Sequence, residues 1–541
     1  MTPDQPETHI AGRPVDEIIA TLPARIHTAV AEWNQHTPDA EAIVDDDIRW
    51  RYEDLARAQT VARDWLHGLG VGPGDRVMIV GENGRALPAL LLACSALDAW
   101  AVIINARLSA PEIDNIRNDC QPARVIYTPD CSAEAGALAD RAYAERIDLA
   151  PLGELAVSTA LPCTPEPVIE DGGQVAAMIY TSGTTGSPKG VMLTHRGLLF
   201  VAAIGGGLRR VGPGDRLYGV LPTSHVFGLS SVCLGALSRG ACLHPVARFD
   251  PNRLVDALAR ERISILQGVP AMFAATLETL RRSGEALDAP ALRYISVGGA
   301  PMDMDLKARV EASFGLTLHN GYGLTEASPT ISQTRLDDHH DNTTVGPILP
   351  GVRHQIRTDD GRVLGPGETG ELWAAGPNIM AGYFRRPEAT ATALQDGWLN
   401  TGDLAHIDAR GLLFIVGRTK ELIIRSGFNV YPADVEAVLN AHPDVVQSAV
   451  VGRTVANNEE VVAFVQRVAG SALTADALIE FSAGQLSGYK RPGEIVFLDT
   501  LPATATGKIL KSQLKTQATE KATEQAPSQA TDPAAAHGDR S

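Results

Sequence analysis

The run Tyr180-Thr-Ser-Gly-Thr-Thr-Gly-Ser-Pro-Lys-Gly190 mixes glycines with hydroxyl-bearing residues and contains one cation, Lys189. Glycines let a backbone come close to an anion, while N–H groups, hydroxyls and a lysine can bind phosphate oxygens. The apolar runs on either side, Val175–Tyr180 and Gly190–Thr194, each predict a short strand. The sequence therefore predicts a polyphosphate-binding loop that joins two strands.

This loop differs from a Walker A loop, whose pattern is Gly-x4-Gly-Lys-Ser/Thr. Counted from Gly183, the second glycine position holds Pro188, and Lys189 is followed by Gly190. The eleven residues instead resemble the phosphate loop of the adenylate-forming superfamily, which includes acyl-CoA synthetases, beetle luciferases and the adenylation domains of peptide synthetases. The resemblance implies an ATP-binding loop formed by Thr181, Ser182, Gly183, Thr184, Thr185, Gly186 and Lys189.

The length and composition predict a globular protein of two or more domains. The chain has 541 residues, more than one ordinary core, with 44% hydrophobic and 21% charged residues. The net charge of -17 argues against nucleic acid or an anionic membrane as an obligatory partner, because both attract clustered cations. ATP is compatible with this charge, because a local group of donors can bind an anion on an acidic protein.

Neither a membrane segment nor a secretory signal is expected. The longest apolar stretch, Leu87–Ile104, is interrupted by Asp98, and the first residues lack a basic and an apolar region. The six cysteines contain no Cys-x-x-Cys pair, which predicts free thiols in a reducing cytoplasm. The sequence leaves the oligomeric state open.

The pattern along the chain predicts an α/β fold. Apolar runs alternate with helical patterns up to Thr128 and again from the glycine-rich loop to about residue 335, which predicts two α/β subdomains. Residues 130–172 are predicted to be a peripheral connection, residues 345–416 an antiparallel, β-barrel-like unit, and the region after Arg418 a small α+β domain. The predicted limits are 1–14 disordered, 15–419 large domain, 420–515 small domain and 516–541 disordered.

The segment Asn320-Gly-Tyr-Gly-Leu-Thr-Glu326 resembles a second motif of the superfamily. The resemblance implies ATP binding by Asn320, Gly321 and Tyr322, with the tyrosine ring against the base. It also implies a catalytic Thr325 at the α-phosphate and Glu326 as a ligand of Mg²⁺, which prefers hard oxygens. Taken alone, the segment would be read as an ordinary helix cap.

A third group of residues resembles the wall between the adenine and the acyl pocket. Ser296-Val-Gly-Gly-Ala-Pro-Met302 places Gly299 and Ala300 at the nucleotide, and a strand-end turn is the alternative reading. Thr223-Ser-His-Val-Phe-Gly228 supplies His225, implied as a catalytic gate. The acyl pocket is implied to be lined by Val226, Val297, Gly298 and Gly323. Because Val226 stands where amino-acid-activating relatives carry an aspartate, an α-amino acid substrate is disfavoured.

The carboxy-terminal motifs imply a ribose site, a hinge and a catalytic lysine. Asp403 and Arg418 match the residues that hold the ribose, with a surface ion pair as the alternative. Lys420 matches the hinge of a mobile small domain. Lys508 matches the cation that stabilises the adenylation transition state. Residues Arg425, Ser426 and Gly427 are implied to bind CoA.

The resemblance implies an ATP-dependent acyl-CoA synthetase that uses Mg²⁺ and CoA and acts on a fatty or arylalkanoic acid. A stand-alone adenylation enzyme that loads a carrier-protein thiol, and a luciferase-like oxidative enzyme, would share every motif. A non-enzymatic binding protein would not need Lys508 and Glu326 together. The acidic run Asp337–Asp341 is expected to be a solvated loop rather than a metal site, and the Gly-x-Ser-x-Gly elbow of hydrolases is absent.

Overall fold

The computed structural model describes residues 8–181, 188–426, 428–455, 458–503 and 509–525, with side chains up to residue 520. Seven predicted site residues lie outside this part of the chain: Ser182, Gly183, Thr184, Thr185, Gly186, Gly427 and Lys508. The described residues fall into two units, 8–419 and 420–503 with 509–525. The α/β class, with a large amino-terminal and a small carboxy-terminal part, is confirmed.

The first sheet of the large unit has eight strands and is parallel at its centre. In spatial order the strands are Gly382–Tyr383, Lys189–Thr194, Val175–Thr181, Trp100–Asn105, Arg76–Gly81, Arg124–Tyr127, Gly153–Val157 and Glu145–Leu149. The prediction that residues 130–172 form only a connection is wrong, because two strands of this region extend the sheet. Leu155 and Ala156 are fully buried there, which explains why this acidic, alanine-rich segment folds onto the core.

The second sheet also has eight strands and brings several predicted site segments to neighbouring strand ends. In spatial order the strands are Thr330–Gln333, Leu318–Gly323, Tyr294–Val297, Ile265–Gly268, Arg216–Gly219, Cys242–Pro245, Glu41–Asp45 and Ile48–Arg51. Gly268 pairs with Val297, and Val297 pairs with Asn320, in parallel register. The carboxyl ends of these three strands therefore lie together.

Helices cover the sheets of the large unit. They are Val15–Ala20, Ile26–His36, Tyr52–Gly68, Ala86–Ala96, Ala110–Cys120, Ala133–Arg141, His195–Phe200, Gly206–Leu208, Gly235–Leu237, Pro251–Arg260, Pro270–Ser283, Met304–Phe314 and Pro387–Ala393. The segments Val201–Gly205 and Phe227–Leu234 are π-helical, and Pro129–Cys131, Thr325–Ala327 and Thr419–Glu421 are 3-10 turns. In the described part of the chain, no helix combines the length and apolar character that crossing a membrane requires.

An antiparallel sheet follows in the region where one was predicted. Its strands are Arg353–Arg357, Gly370–Ala375, Leu394–Gln395, Trp398–Ile407 and Leu413–Arg418. Ile356, Leu372 and Leu413 are buried in a small core of their own on this sheet. A two-stranded ladder, His9–Ile10 with Arg13–Pro14, precedes the first helix of the chain.

The small unit has its own core. It contains the strands Ile423–Arg425, Phe428–Val430, Val445–Val455, Asn458–Arg467 and Glu494–Leu498, and the helices Pro432–Asn440, Ala475–Ala483 and Lys511–Gln525. Pro432 occupies the first turn of its helix, where a missing N–H costs nothing, and Val435 and Leu439 face the core.

Both predictions of terminal disorder are wrong for part of their range. Residues 516–525 belong to the last helix, because Leu514 and Ala518 form an i, i+4 pair that is buried against the central strands of the small unit. Residues 9–14 form the amino-terminal ladder, and Ile10 is buried in the main core. In each case one or two apolar contacts order a segment whose composition is polar.

Candidate nucleotide and acyl site

The glycine-rich loop is the connection of a β-hairpin, as predicted. The strands Val175–Thr181 and Lys189–Thr194 are antiparallel, and Thr181 pairs with Lys189 at the point where the described residues stop. This pairing fixes the two ends of the loop beside each other. Lys189 therefore lies at the loop end of the hairpin, in a strand whose direction is set by the sheet.

Lys189 and Glu326 are linked through Tyr383, a residue that the sequence analysis missed. The ammonium of Lys189 lies 5.1 Å from the centre of the Tyr383 ring, within the range of a cation–π interaction. The phenol of Tyr383 donates a hydrogen bond of 2.8 Å to Glu326 Oε1. Burial, and then the charge of Glu326, raise the pKa of Tyr383, so the phenol stays protonated and donates.

The backbone around Tyr383 holds this arrangement in place. Met380 N donates to the carbonyl oxygen of Glu326 at 2.9 Å, and Phe384 N donates to that of Gly190 at 2.8 Å. The segment 380–384 is thus bonded both to the 3-10 turn that carries Glu326 and to the hairpin that carries Lys189. The predicted metal ligand and the predicted phosphate-binding lysine come together at this segment.

The residues around Glu326 fit a magnesium site of the kind that nucleotides complete. Mg²⁺ is usually held by one or two carboxylates together with substrate phosphates. Glu326 supplies one carboxylate, and no group of three or more acidic, histidine or cysteine side chains among the described residues could hold a metal without a ligand. Glu326 can therefore hold Mg²⁺ together with ATP.

Tyr322, Asp403 and Arg418 form a second polar group, at the predicted ribose site. The phenol of Tyr322 donates a short hydrogen bond to Asp403 Oδ2, and Arg418 Nε lies 3.0 Å from Asp403 Oδ1. Asp403 and Arg418 are cross-strand partners, so the sheet register creates the pair. Burial, and then the charge of Asp403, raise the pKa of Tyr322.

Arg418 stays accessible while Asp403 is buried. The guanidinium side chain is 41% exposed and the carboxylate 5% exposed. An ordinary surface ion pair would have two exposed partners. The Tyr322–Asp403–Arg418 group instead has a buried, fixed carboxylate, with the Arg418 guanidinium on its solvent-facing side.

Two glycines after the strand Tyr294–Val297 serve different purposes. A Cβ on Gly298 would stand 3.2 Å from the Phe227 ring and 3.4 Å from the carbonyl oxygen of Gly321, so a side chain would crowd the predicted acyl pocket. Gly299 has φ of +79°, and a Cβ there would meet only Val269, at 3.7 Å. The positive φ of Gly299 favours glycine there, and apart from Val269 the space beside it is open.

Gly323 is also required by the packing of the backbone. A Cβ at this position would lie 2.2 Å from the carbonyl oxygen of Pro329, the residue before the antiparallel partner strand Thr330–Gln333. Asn320 donates through Nδ2 to the carbonyl oxygen of Thr344 at 3.2 Å and accepts from Gly321 N. Its side chain thus fixes the start of the Tyr322 segment.

The remaining predicted residues of the large unit differ in exposure. Val226, Val297 and Thr325 are buried, whereas His225 and Ala300 are partly exposed. Nδ1 of His225 accepts a 3.3 Å hydrogen bond from Phe227 N. The His225 ring therefore packs against the first residues of the helix that follows it, at the edge of the core.

Asn83 is a second residue that the sequence analysis missed. It is buried, and its amide nitrogen donates at 2.9 to 3.2 Å to three carbonyl oxygens, those of Gly219, Leu221 and Val246. Its Oδ1 accepts from both the backbone N–H and the hydroxyl of Thr223, at 2.8 and 3.0 Å. Asn83 thereby fixes the loop that leads to His225.

In the small unit, the predicted CoA residues Arg425 and Ser426 bond to neighbouring residues of the same unit. Arg425 Nη1 donates to the carbonyl oxygens of Tyr489 and Arg491, at 3.3 and 2.8 Å. Ser426 N donates to Asn458 Oδ1 at 2.7 Å. Lys420 is the first residue of this unit and lies in the 3-10 turn Thr419–Glu421.

Two family models match the chain. The model described as AMP-binding enzyme matches residues 30–384, and that described as AMP-binding enzyme C-terminal domain matches residues 434–508. The match of the first model contains the hairpin, Glu326 and Tyr383, and the match of the second contains Lys508.

Similar proteins cover nearly the whole chain. A feruloyl-CoA synthase of an Amycolatopsis species is 36% identical over 88% of this chain and 96% of its own length. An indoleacetate–CoA ligase of Aromatoleum aromaticum is 35% identical over 86% of this chain and 94% of its own. The solved structure of the Bacillus subtilis o-succinylbenzoate coenzyme A synthetase with ATP and a magnesium ion has a TM-score of 0.78 and 28% identity, over 90% of this chain and 99% of that one.

Proposed function

Because the chain belongs to the AMP-binding enzyme family, we propose that it activates an acid with an apolar body, of the arylalkanoic or fatty type. The protein is an ATP-dependent acyl-CoA synthetase, an acid–thiol ligase that uses ATP, Mg²⁺ and CoA. The acid attacks the α-phosphate of ATP to give an acyl-adenylate and pyrophosphate. The thiol of CoA then takes the acyl group and releases AMP.

The observation that carries the assignment of site residues is the meeting of Lys189, Tyr383 and Glu326. A cation and a carboxylate, both held by one phenol, suit the two components of Mg·ATP. We assign Lys189 to the phosphates and Glu326 to the metal. Thr325, in the same 3-10 turn, is assigned to the α-phosphate.

The ribose is assigned to Asp403 and Arg418, and the base to the Tyr322 ring. Asp403 is held by a phenol and a guanidinium and keeps lone pairs for hydroxyl donors. Gly321, Gly299 and Ala300 line the nucleotide in this proposal, and Asn320 positions Tyr322.

We also assign roles to residues near and beyond the boundary of the two units. Lys508 neutralises the approaching carboxylate and α-phosphate in the first step. Lys420 is the hinge that permits the change to the second step, which is supported by the unit boundary at this residue. Arg425, Ser426 and Gly427 are assigned to the passage of CoA.

The type of acid is proposed from the residues beside His225 and from the similar proteins. Val226 and Val297 are buried aliphatic side chains, and an ammonium group placed against them would be costly. The feruloyl-CoA and indoleacetate relatives favour an aryl acid over a simple fatty acid. We place the enzyme in the cytoplasm, because all six of its cysteines are free thiols.

A panel of acids tests this function. The purified full chain, with ATP, Mg²⁺ and CoA, should release pyrophosphate and form the CoA ester with aryl or fatty acids, and should not do so with α-amino acids. Replacing CoA by a phosphopantetheinylated carrier protein tests whether a carrier-protein thiol, rather than CoA, accepts the acyl group. Ester formation on the carrier alone would replace CoA ligation by carrier loading, and activation of only α-amino acids would refute the proposed substrate class.

A further inference from the structure

Among the described residues of the large unit, one guanidinium is buried without a carboxylate partner. Arg209 follows the helical run that begins at His195, and it is 4% exposed. Among the described residues no acidic group pairs with it, its Nε has no hydrogen-bond partner, and its Nη2 reaches the carbonyl oxygen of Ser231 only at 3.4 Å. A buried, incompletely bonded cation is costly, so its presence calls for a function.

Other polar groups surround this guanidinium in an otherwise apolar core. Gln267 accepts from Arg209 Nη1 at 3.3 Å and donates to the carbonyl oxygen of Ser231 at 3.1 Å, in the amide orientation that satisfies both contacts. The hydroxyl of Ser231 is buried and has no partner among the described residues. Gln333 donates through Nε2 to the carbonyl oxygen of Gly205 at 3.3 Å. We call Arg209, Ser231, Gln267 and Gln333 the buried polar cluster.

Glycines on two helices face the guanidinium without a side chain. A Cβ on Gly205 would stand 3.7 Å from Arg209 Nη2 and 3.4 Å from Gln333 Oε1. A Cβ on Gly235 would stand 3.8 Å from the same nitrogen. Larger residues at these positions would contact the donors of Arg209 and would limit what can approach them.

Three residues of the buried polar cluster are connected to Gly298, at the predicted acyl pocket, through strand pairing or a helical turn. Gln267 pairs with Ser296, two residues before Gly298. Gln333 pairs with Gly321, whose carbonyl oxygen faces Gly298. Ser231 lies one helical turn after Phe227, whose ring abuts Gly298. A ligand that extends past Gly298 and Phe227 would therefore reach the cluster.

We propose that the buried polar cluster binds an oxygen acceptor at the far end of the acyl substrate. Arginine has only donors, and the Ser231 hydroxyl can add another, so the matching group is a hydroxyl, a carbonyl or a second carboxylate. The substrate is then an acid with an apolar body and an oxygen at the end remote from the reacting carboxylate. This inference rests on the proposed function and narrows its substrate class.

Matched acids test the proposal on the unmodified enzyme. One series is 3-phenylpropanoate, 3-(4-hydroxyphenyl)propanoate and 3-(4-carboxyphenyl)propanoate, and the other is octanoate, 8-hydroxyoctanoate and octanedioate. In at least one series, kcat/KM for pyrophosphate release should be about tenfold or more higher with a terminal oxygen than without. The hydroxyl and carboxylate members show whether a neutral or an anionic acceptor is preferred.

Two arginine variants identify the group responsible. Arg209→Met should reduce the ratio of kcat/KM between the preferred acid and its apolar counterpart to near one. Arg239→Met is the matched control, because Arg239 is a partly buried arginine outside the cluster that donates to Val211, and it should keep the ratio. Protection against thermal unfolding by acyl-sulfamoyl adenosines, with and without the terminal oxygen, should change in parallel.

The outcomes separate this inference from the proposed function. If acids are activated but both series favour the apolar member, or if Arg209→Met lowers the melting temperature and leaves the ratio unchanged, the cluster is only structural and the inference fails. If no acid of any kind is activated, the proposed function itself fails. If Arg209→Met does not fold, Ser231→Ala tests the inference instead, because loss of its hydroxyl must reduce the ratio of kcat/KM between the oxygen-bearing and the apolar acid. The two series measured on the unmodified enzyme test it as well.

Discussion

Removing the hydroxyl of Tyr383 should weaken the use of Mg²⁺ while leaving the ring over Lys189. Tyr383→Phe deletes the 2.8 Å hydrogen bond to Glu326, and the cation–π contact at 5.1 Å remains. A hydrogen bond to a charged group contributes about 1.5–3 kcal/mol. Because Tyr383 is only partly buried, we expect the lower end, which corresponds to a rise of about tenfold in the Mg²⁺ concentration for half-maximal pyrophosphate release.

The assay measures pyrophosphate release against free Mg²⁺ at fixed ATP, together with calorimetric binding of ATP with and without Mg²⁺. Tyr383→Leu removes the ring as well and should additionally raise the KM for ATP, since Lys189 loses its aromatic neighbour. Tyr143→Phe serves as the control, because Tyr143 is 93% exposed. If Tyr383→Phe and the unmodified enzyme show the same Mg²⁺ dependence, Tyr383 does not position Glu326.

Three further changes address the assigned roles. Glu326→Gln should raise the Mg²⁺ requirement with an unchanged melting temperature, because a neutral amide is a poor ligand for a hard cation; an unaltered requirement would restore the reading of Glu326 as a helix-cap residue. Lys508→Ala should slow acyl-adenylate formation by about 100-fold or more but spare ester formation from supplied acyl-adenylate and CoA, and equal losses in both half-reactions would contradict this assignment. Lys420→Pro should let acyl-adenylate accumulate in single-turnover experiments without ester, because proline fixes φ near −65°, and normal turnover would exclude the hinge.

The hairpin and the parallel strands could be predicted because their signals are local. The runs Val175–Tyr180 and Gly190–Thr194 are apolar and short, and a glycine-rich segment separates them, so these features alone favour two strands joined by a loop. The helix that begins at Lys511 gave no such signal. Among the described side chains of this helix Leu514 and Ala518 are the ones buried in the core, and two residues are too few to stand out in a polar segment.

The missed residues Tyr383 and Asn83 depend on contacts between distant parts of the chain. Tyr383 lies 57 residues after Glu326, and Asn83 lies 140 residues before Thr223. A single tyrosine or asparagine has no periodic pattern, so only tertiary structure reveals its role. Gly299 shows a related limit, since a sequence shows that a glycine is present and does not show whether φ or space favours it.

The two phenols show how the site can orient a carboxylate without cancelling its charge. Burial and the adjacent carboxylates raise the pKa values of Tyr322 and Tyr383, so both phenols remain neutral donors. Within the described residues Glu326 has no lysine or arginine in salt-bridge contact, so the bond from Tyr383 leaves its full negative charge for a cation. Asp403 also contacts Arg418, which offsets its charge and suits hydroxyl groups rather than a metal. In the proposed assignment the same phenol–carboxylate pair would therefore serve a metal at one position and a ribose at the other, and the additional arginine makes the difference.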